Sequence, residues 1–233
     1  MIQLTRHGAV VSGSAADLEV LRRRFDREHC LRLPKLVGSE VLALLQPMLE
    51  AAVFRPQHYE EVGSELRMQP NVADDLLHFL ANDPKLYAFV RQVAGCGRVG
   101  CFSGRIYRMV STPGHAFVWH DDMVAGRMAA LSINLSAQAY SGGLLEIRDA
   151  KSKEFLYRSS RLDWGDALLI RVAERLEHRV TPLEGDAPKT AFAGWFQSQP
   201  DFYALLRERR AAQQESDAGK PGEPAERRLV GQN

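Results

Sequence analysis

Two histidines and one carboxylate stand out for their spacing. The run FVWHDDMVAGR places His120 directly before Asp121 and Asp122. Alternate side chains of an extended strand face opposite sides, so His120 and Asp122 share a face and Asp121 points away. An imidazole and a carboxylate placed in that way can grip one metal ion. His178, in EHRVTPL, offers a third donor, and the 56 residues between it and Asp122 (178 − 122) leave room for several strands. Two neutral imidazoles and one carboxylate suit non-haem Fe(II), leave open positions on the ion, and favour an anionic chelator. An HxD pair alone is also an ordinary hydrogen-bonded pair, so the surrounding residues must carry the argument.

The other histidines fit a metal less well. His7 sits in a terminal arm, His29 and His78 fall in helical patterns, and His58 lies in RPQHYEEVG, read as a loop. His115 precedes His120 by five residues and would face the other side of one strand.

Positioning such a set needs a sheet, and the second half of the chain supplies one. From about residue 98, eight β-rich runs alternate with Gly, Pro, Ser and Asp: RVGCFSGRIYRMV, HAFVWHDD, MAALSINLS, GGLLEIRD, KEFLYRS, DALLIRV, EHRVTPL and KTAFAGWFQS. That pattern predicts a sandwich or barrel. The first half reads as helices. Ser14 and Asp17 resemble a capping box ahead of Leu18, Leu21 and Phe25, and Ser39 is placed to cap a helix kinked at Pro47. Asn71 opens a third helix with Val72, Leu76, Phe79 and Leu80 as its apolar stripe, and Asp83-Pro84 opens a fourth that stops at Gly95. Residues 1–97 are thus expected to form a helical region supporting the sheet, 98–200 the catalytic β core, and 201–233 a short helix and a flexible charged tail.

Composition narrows the function. With 30 basic and 29 acidic residues the net charge is +1, which gives no general attraction to nucleic acid or an anionic membrane. No run approaches the roughly 18 apolar residues of a membrane span, and MIQLTRHGAV lacks the apolar core of a signal peptide. Three cysteines without a CxxC pair suggest neither a zinc knuckle nor a disulfide framework, and a reducing cytoplasm is the expected location.

The β half resembles the 2-oxoglutarate- and Fe(II)-dependent dioxygenases, in particular their prolyl 4-hydroxylase-like branch. The resemblance runs from about residue 100 to 197 and rests on GGLLEI at 142–147, GDALLI at 165–170, HRVTPL at 178–183, Lys189, and GWF at 194–196. It implies an α+β fold with a double-stranded β-helix (jelly roll) core and N-terminal helices packed against it. It implies Fe(II) on His120, Asp122 and His178, 2-oxoglutarate as cosubstrate, O₂ as oxidant and ascorbate as reductant. Lys189, 11 residues after His178, takes the place of the family's basic residue for the distal carboxylate of 2-oxoglutarate. Strand alternation sets Lys189, Ala191, Ala193 and Trp195 on one face. Tyr107, Asn134 and Trp195 match positions that line the cosubstrate pocket, although Tyr107 precedes His120 by 13 residues, a longer gap than usual, Asn134 could equally satisfy backbone groups of the barrel, and Trp195 could equally pack the core.

The resemblance implies hydroxylation of an unactivated C–H bond in an amino-acid, peptide or natural-product substrate, with succinate and CO₂ as coproducts, while desaturation, cyclisation or demethylation would follow from the same chemistry. The outcome at that bond and the oligomeric state stay open. Six arginines of the strand half (Arg105, Arg108, Arg127, Arg148, Arg171 and Arg179) either face the mouth and favour a carboxylate- or phosphate-bearing substrate, or blunt the sheet edges. Two other classes stay open at this stage: a non-catalytic jelly-roll binding module, and a zinc or manganese hydrolase on a similar barrel, which has no use for Lys189.

Overall fold

The computed structural model describes residues 1–60, 62–112, 115–204, 206 and 207. In chain order its elements are β1 (Ile2–Thr5), β2 (Gly8–Val11), α1 (Ala15–Glu28), β3 (Cys30–Leu33), α2 (Ser39–Glu50), β4 (Phe54–Tyr59), β5 (Gly63–Met68), α3 (Val72–Ala81) and α4 (Pro84–Ala94). The second half continues with β6 (Cys101–Met109), β7 (Phe117–His120), β8 (Arg127–Asn134), β9 (Ser141–Gly142), β10 (Leu145–Asp149), β11 (Phe155–Arg158), β12 (Ala167–Arg171), β13 (Leu176–Val180), β14 (Leu183–Glu184) and β15 (Lys189–Gln197). All eight β-rich runs of that half are strands. Residues 202–204, 206 and 207 are helical, and the rest of the segment expected to be a flexible charged tail lies outside the described residues.

The helix ends follow local chemistry. The Ser14 hydroxyl accepts the Asp17 N–H at 3.2 Å while the Asp17 carboxylate accepts the Ser14 N–H at 2.7 Å. Asn71 caps α3 by accepting the Ala73 N–H at 2.8 Å, and Asp83 caps α4 by accepting the Lys85 N–H at 2.7 Å. Two expectations need correction. Gly38, not Ser39, occupies the cap of α2, which runs through Pro47 to Glu50. On α3 the buried residues are Ala73, Leu77, Leu80 and Ala81, while Val72 and Phe79 are exposed. Both stripes have helical spacing, and the smaller alanines permit the closer approach to the sheet.

Eleven strands form one sheet in the order β11-β10-β13-β7-β5-β6-β15-β8-β12-β3, with β4 added on β5. The main pairings are antiparallel. The first 97 residues, read as helical, therefore also contribute strands: β3 closes one end of the sheet and β5 fills the place between β7 and β6. Gly63 makes that insertion possible, since its φ is +143° and a Cβ there would lie 2.0 Å from the Ala116 carbonyl oxygen.

The sheet curls until its two ends share a core, giving the jelly roll. Leu145, Ile147 and Leu176 of β10 and β13 pack with Ala130, Leu168 and Ile170 of β8 and β12, although these strands lie far apart in the sheet order. Strand β15 shows how one segment serves two layers. Its Phe192 and Phe196 point outward, contact Phe102, and join the helices' Phe25, Leu45, Leu77 and Phe89 in the large core. Its Lys189, Ala193 and Trp195 point inward and line a cavity. Burying a phenylalanine contributes roughly 1.5–3 kcal/mol, so the outward face anchors the strand and the inward face is left for chemistry.

Candidate active site

The cavity has a volume of about 560 Å³ and opens on one side of the barrel. His120, Asp122 and His178 meet in its wall, with one donor atom from each lying within 4.8 Å of the others. His178 and His120 are direct cross-strand partners of β13 and β7, and their ring centroids are 4.4 Å apart. This pairing closes the long sequence gap. Strand β7 stops at His120, so Asp122 is not carried by strand alternation. An irregular turn follows instead, in which the Asp121 carboxylate accepts the Met123 N–H at 3.0 Å and the Asp122 carbonyl accepts the Val124 N–H at 2.8 Å. That turn sets Asp122 Oδ2 at 3.4 Å from His178 Nε2. Asp121 is exposed at the edge of the cavity.

These donors fit an octahedral metal. Bonds of about 2.1 Å put neighbouring ligand atoms about 3 Å apart, near the 3.4 Å observed. His120 Nδ1 donates to the Val118 carbonyl at 2.7 Å, which fixes the tautomer and leaves Nε2 with its lone pair for an ion. Burial pushes the His178 imidazole down to about 4, against the opposing pull of Asp122, so the ring is neutral at physiological pH as a metal ligand must be. Asp122 is also held from the other side by Arg127, at 3.5 Å from Oδ1, and the Arg127 guanidinium lies 3.5 Å from the centroid of the Trp195 ring.

Lys189 lies deep in the same cavity, 6% exposed. Its ammonium donates to the Gly143 carbonyl at 2.6 Å and lies 5.8 Å from the Tyr140 ring centroid. No carboxylate of the described residues lies within salt-bridge distance, and burial lowers its pKa to about 8. A buried cation with donors to spare is a receptor for an anion. Tyr107 pairs with Ala191 across β6 and β15, one diagonal step from Lys189 on the inner face, and burial raises its phenol pKa. Trp195 borders the cavity with its indole N–H buried and unpaired.

Asn134 does not reach the cavity lining. Its Nδ2 donates to the carbonyls of Leu162 and Asp163, both at 3.1 Å, and its Oδ1 accepts the Ser136 N–H at 3.2 Å. It ties β8 to the segment before β12. Of the six arginines, only Arg105 and Arg127 line the cavity, while Arg148 and Arg179 stack on Trp119 and pair with Glu177 and Glu146.

Residues that the sequence reading missed come from the hairpin of β4 and β5. Tyr59 and Arg67 line the cavity, and Glu65 is fully buried behind Arg105. Arg105 Nη2 donates to Glu65 Oε2 at 2.8 Å, and the Tyr59 hydroxyl donates to Oε1 at 2.8 Å. Burial works against the Arg105 charge, but the hydrogen bond to Glu65 raises its pKa overall. The alternation in SELRM was the available signal.

Residues 104–197 match the family model of the 2OG-Fe(II) oxygenase superfamily. No curated protein matches the chain. Among solved structures, a prolyl-4-hydroxylase from Pseudomonas putida is 15% identical with a TM-score of 0.58, over 78% of this chain and 100% of that one. The non-heme alpha-ketoglutarate-dependent epimerase SnoN from nogalamycin biosynthesis is 17% identical with a TM-score of 0.59, over 83% and 89%. A prolyl hydroxylase from Trichoplax adhaerens, in complex with a hypoxia-inducible factor oxygen degradation domain peptide, is 12% identical with a TM-score of 0.56, over 80% and 94%. The family match covers the strand half that carries His120, Asp122, His178 and Lys189, on a jelly roll like that of the prolyl-4-hydroxylase, and it supports a 2-oxoglutarate- and Fe(II)-dependent dioxygenase.

Proposed function

We propose that the protein hydroxylates a C–H bond of an amino-acid, peptide or natural-product substrate, with His120, Asp122 and His178 holding Fe(II) and Lys189 holding 2-oxoglutarate. The observation that carries this reading is one cavity containing both the convergent His-Asp-His donors and a buried lysine without an acidic partner. When bound, the iron supplies O₂ activation coupled to decarboxylation of 2-oxoglutarate. The balance is R–H + O₂ + 2-oxoglutarate → R–OH + succinate + CO₂.

The chain's own residues bind and orient. Lys189 pairs with the distal carboxylate, and Tyr107 offers a hydroxyl on the same wall. Leu145, Leu168 and Ile170 give this end of the cavity apolar walls that keep water from the reacting atoms. Val118 and Arg127 hold His120 and Asp122 in place from outside the donor set. A carboxylate at position 122 occupies a ligand position that a halide would otherwise take, which favours oxygen insertion over halogenation. The buried lysine distinguishes this reading from a hydrolase, which needs no ketoacid, and the convergent His-Asp-His donors distinguish it from a binding module, which needs no metal.

The test is conversion of 2-oxoglutarate to succinate by purified protein with Fe(II), ascorbate and O₂. Wild type is expected to turn over slowly even without prime substrate, and His120→Ala, Asp122→Ala and His178→Ala to lose turnover. Undiminished turnover in all three variants removes the proposed site.

A further inference from the structure

We infer that the prime substrate carries an oxyanion, a carboxylate or phosphate, which Arg55 and Arg67 of the β4–β5 hairpin bind at the rim of the cavity. This rests on the proposed function and names the substrate class for that site. Arg55 and Arg67 are directly opposed partners in the β4–β5 ladder, so both side chains leave the same face of the hairpin. Glu65 and Arg67, two residues apart on β5, share that face. It is the cavity face, because Arg67 lines the cavity and Glu65 pairs with the cavity residue Arg105.

Like charges directly opposed on antiparallel strands repel and destabilise the pair. The two other arginines of the inner wall are each matched by an acid: Arg105 by Glu65, and Arg127 by Asp122. Arg55 and Arg67 have no carboxylate within 4.0 Å among the described residues, and both are exposed. Protection of a sheet edge accounts for a charge on β4, which pairs only with β5. It does not account for Arg67, since β5 is covered by β4 on one side and by β6 and β7 on the other. A guanidinium presents a planar fork of donors that matches a carboxylate or phosphate, and two on opposed residues can reach one such group. The inner cation, Lys189, is on a different strand and is buried, so the rim pair forms a second anion position nearer solvent. A substrate anchored there by its oxyanion directs its remaining part inward past Tyr59 and Trp195.

The experiment titrates the full chain, without metal or 2-oxoglutarate, with sodium pyrophosphate and separately with sodium malonate. Binding is followed by NMR at constant ionic strength so that screening does not change. A Lys189→Ala background removes the inner anion site. Saturable binding of one or both probes is expected in Lys189→Ala, weakened at least tenfold when Arg55→Gln and Arg67→Gln are added. Arg55→Lys with Arg67→Lys should recover part of it, and dispersed spectra show that each variant is folded. Preference for pyrophosphate indicates a phosphate-bearing substrate, and preference for malonate a carboxylate-bearing one. No saturable binding in Lys189→Ala, or equal binding after the Arg→Gln changes, overturns the inference. Failure of the succinate assay would overturn the proposed function while leaving this result intact.

Discussion

Replacing Lys189 by Met should weaken 2-oxoglutarate binding and at the same time stabilise the free protein. Without cosubstrate the ammonium is buried, with the Gly143 carbonyl as its hydrogen-bond acceptor. The gap between its ordinary 10.5 and about 8 corresponds to about 3 kcal/mol at about 1.4 kcal/mol per pKa unit. That cost is present in full below pH 8 and fades as pH rises toward the unfolded value. Methionine keeps most of the stem and removes the charge. Allowing for hydration of the cavity, a gain of about 1–2 kcal/mol remains, which raises Tm on the order of 2–8 °C. The same change strips the partner from a bound carboxylate, a loss on the order of 3–5 kcal/mol in a dry site and less where water enters. Calorimetric titration of 2-oxoglutarate should therefore show affinity reduced at least roughly tenfold, with the Fe(II) content of the loaded protein retained. A lower Tm together with unchanged cosubstrate affinity refutes the reasoning and makes Lys189 a packing residue.

The pH dependence follows from the same group: its lowered pKa of about 8 means that binding a carboxylate above that pH requires proton uptake. The KM for 2-oxoglutarate should be flat below pH 8 and rise up to about tenfold per pH unit above it, and a flat profile to pH 9.5 contradicts this. Asn134→Ala removes buried donors from the Leu162 and Asp163 carbonyls and should cost about 1–3 kcal/mol of stability while leaving KM for 2-oxoglutarate unchanged in the folded protein. A higher KM at constant Tm would instead return Asn134 to the cosubstrate pocket. Asp122→Gly should abolish hydroxylation, and mass spectrometry of the wild-type product should show added oxygen and no chlorine. Chlorine incorporation by wild type would overturn the role given to Asp122.

The convergence of His120, Asp122 and His178 was legible because these residues lie in short local patterns, HDD and EHRV, and because the strands that carry the histidines are marked by turn residues on both sides. The means of placing Asp122 was not legible. Alternation suggested a strand, whereas a turn capped by Asp121 brings the carboxylate to His178. The β4–β5 hairpin was hidden by composition: Pro56 argues against a strand, yet β4 is an added outer strand where a missing N–H is tolerated. Helix α3 offered two apolar stripes of equal periodicity, and only the packing of Ala73 and Ala81 against the core separates them. Asn134 shows the limit of carrying over a position: the residue is there, but both its polar atoms are committed to backbone.

The central claim is that this cavity couples O₂ to 2-oxoglutarate at the His120, Asp122 and His178 site, and turnover under ¹⁸O₂ tests it most directly. The account predicts one ¹⁸O atom in each succinate formed by the wild-type protein with Fe(II), and no labelled succinate from His178→Ala. Unlabelled succinate, or labelled succinate from the variant at the wild-type rate, contradicts it.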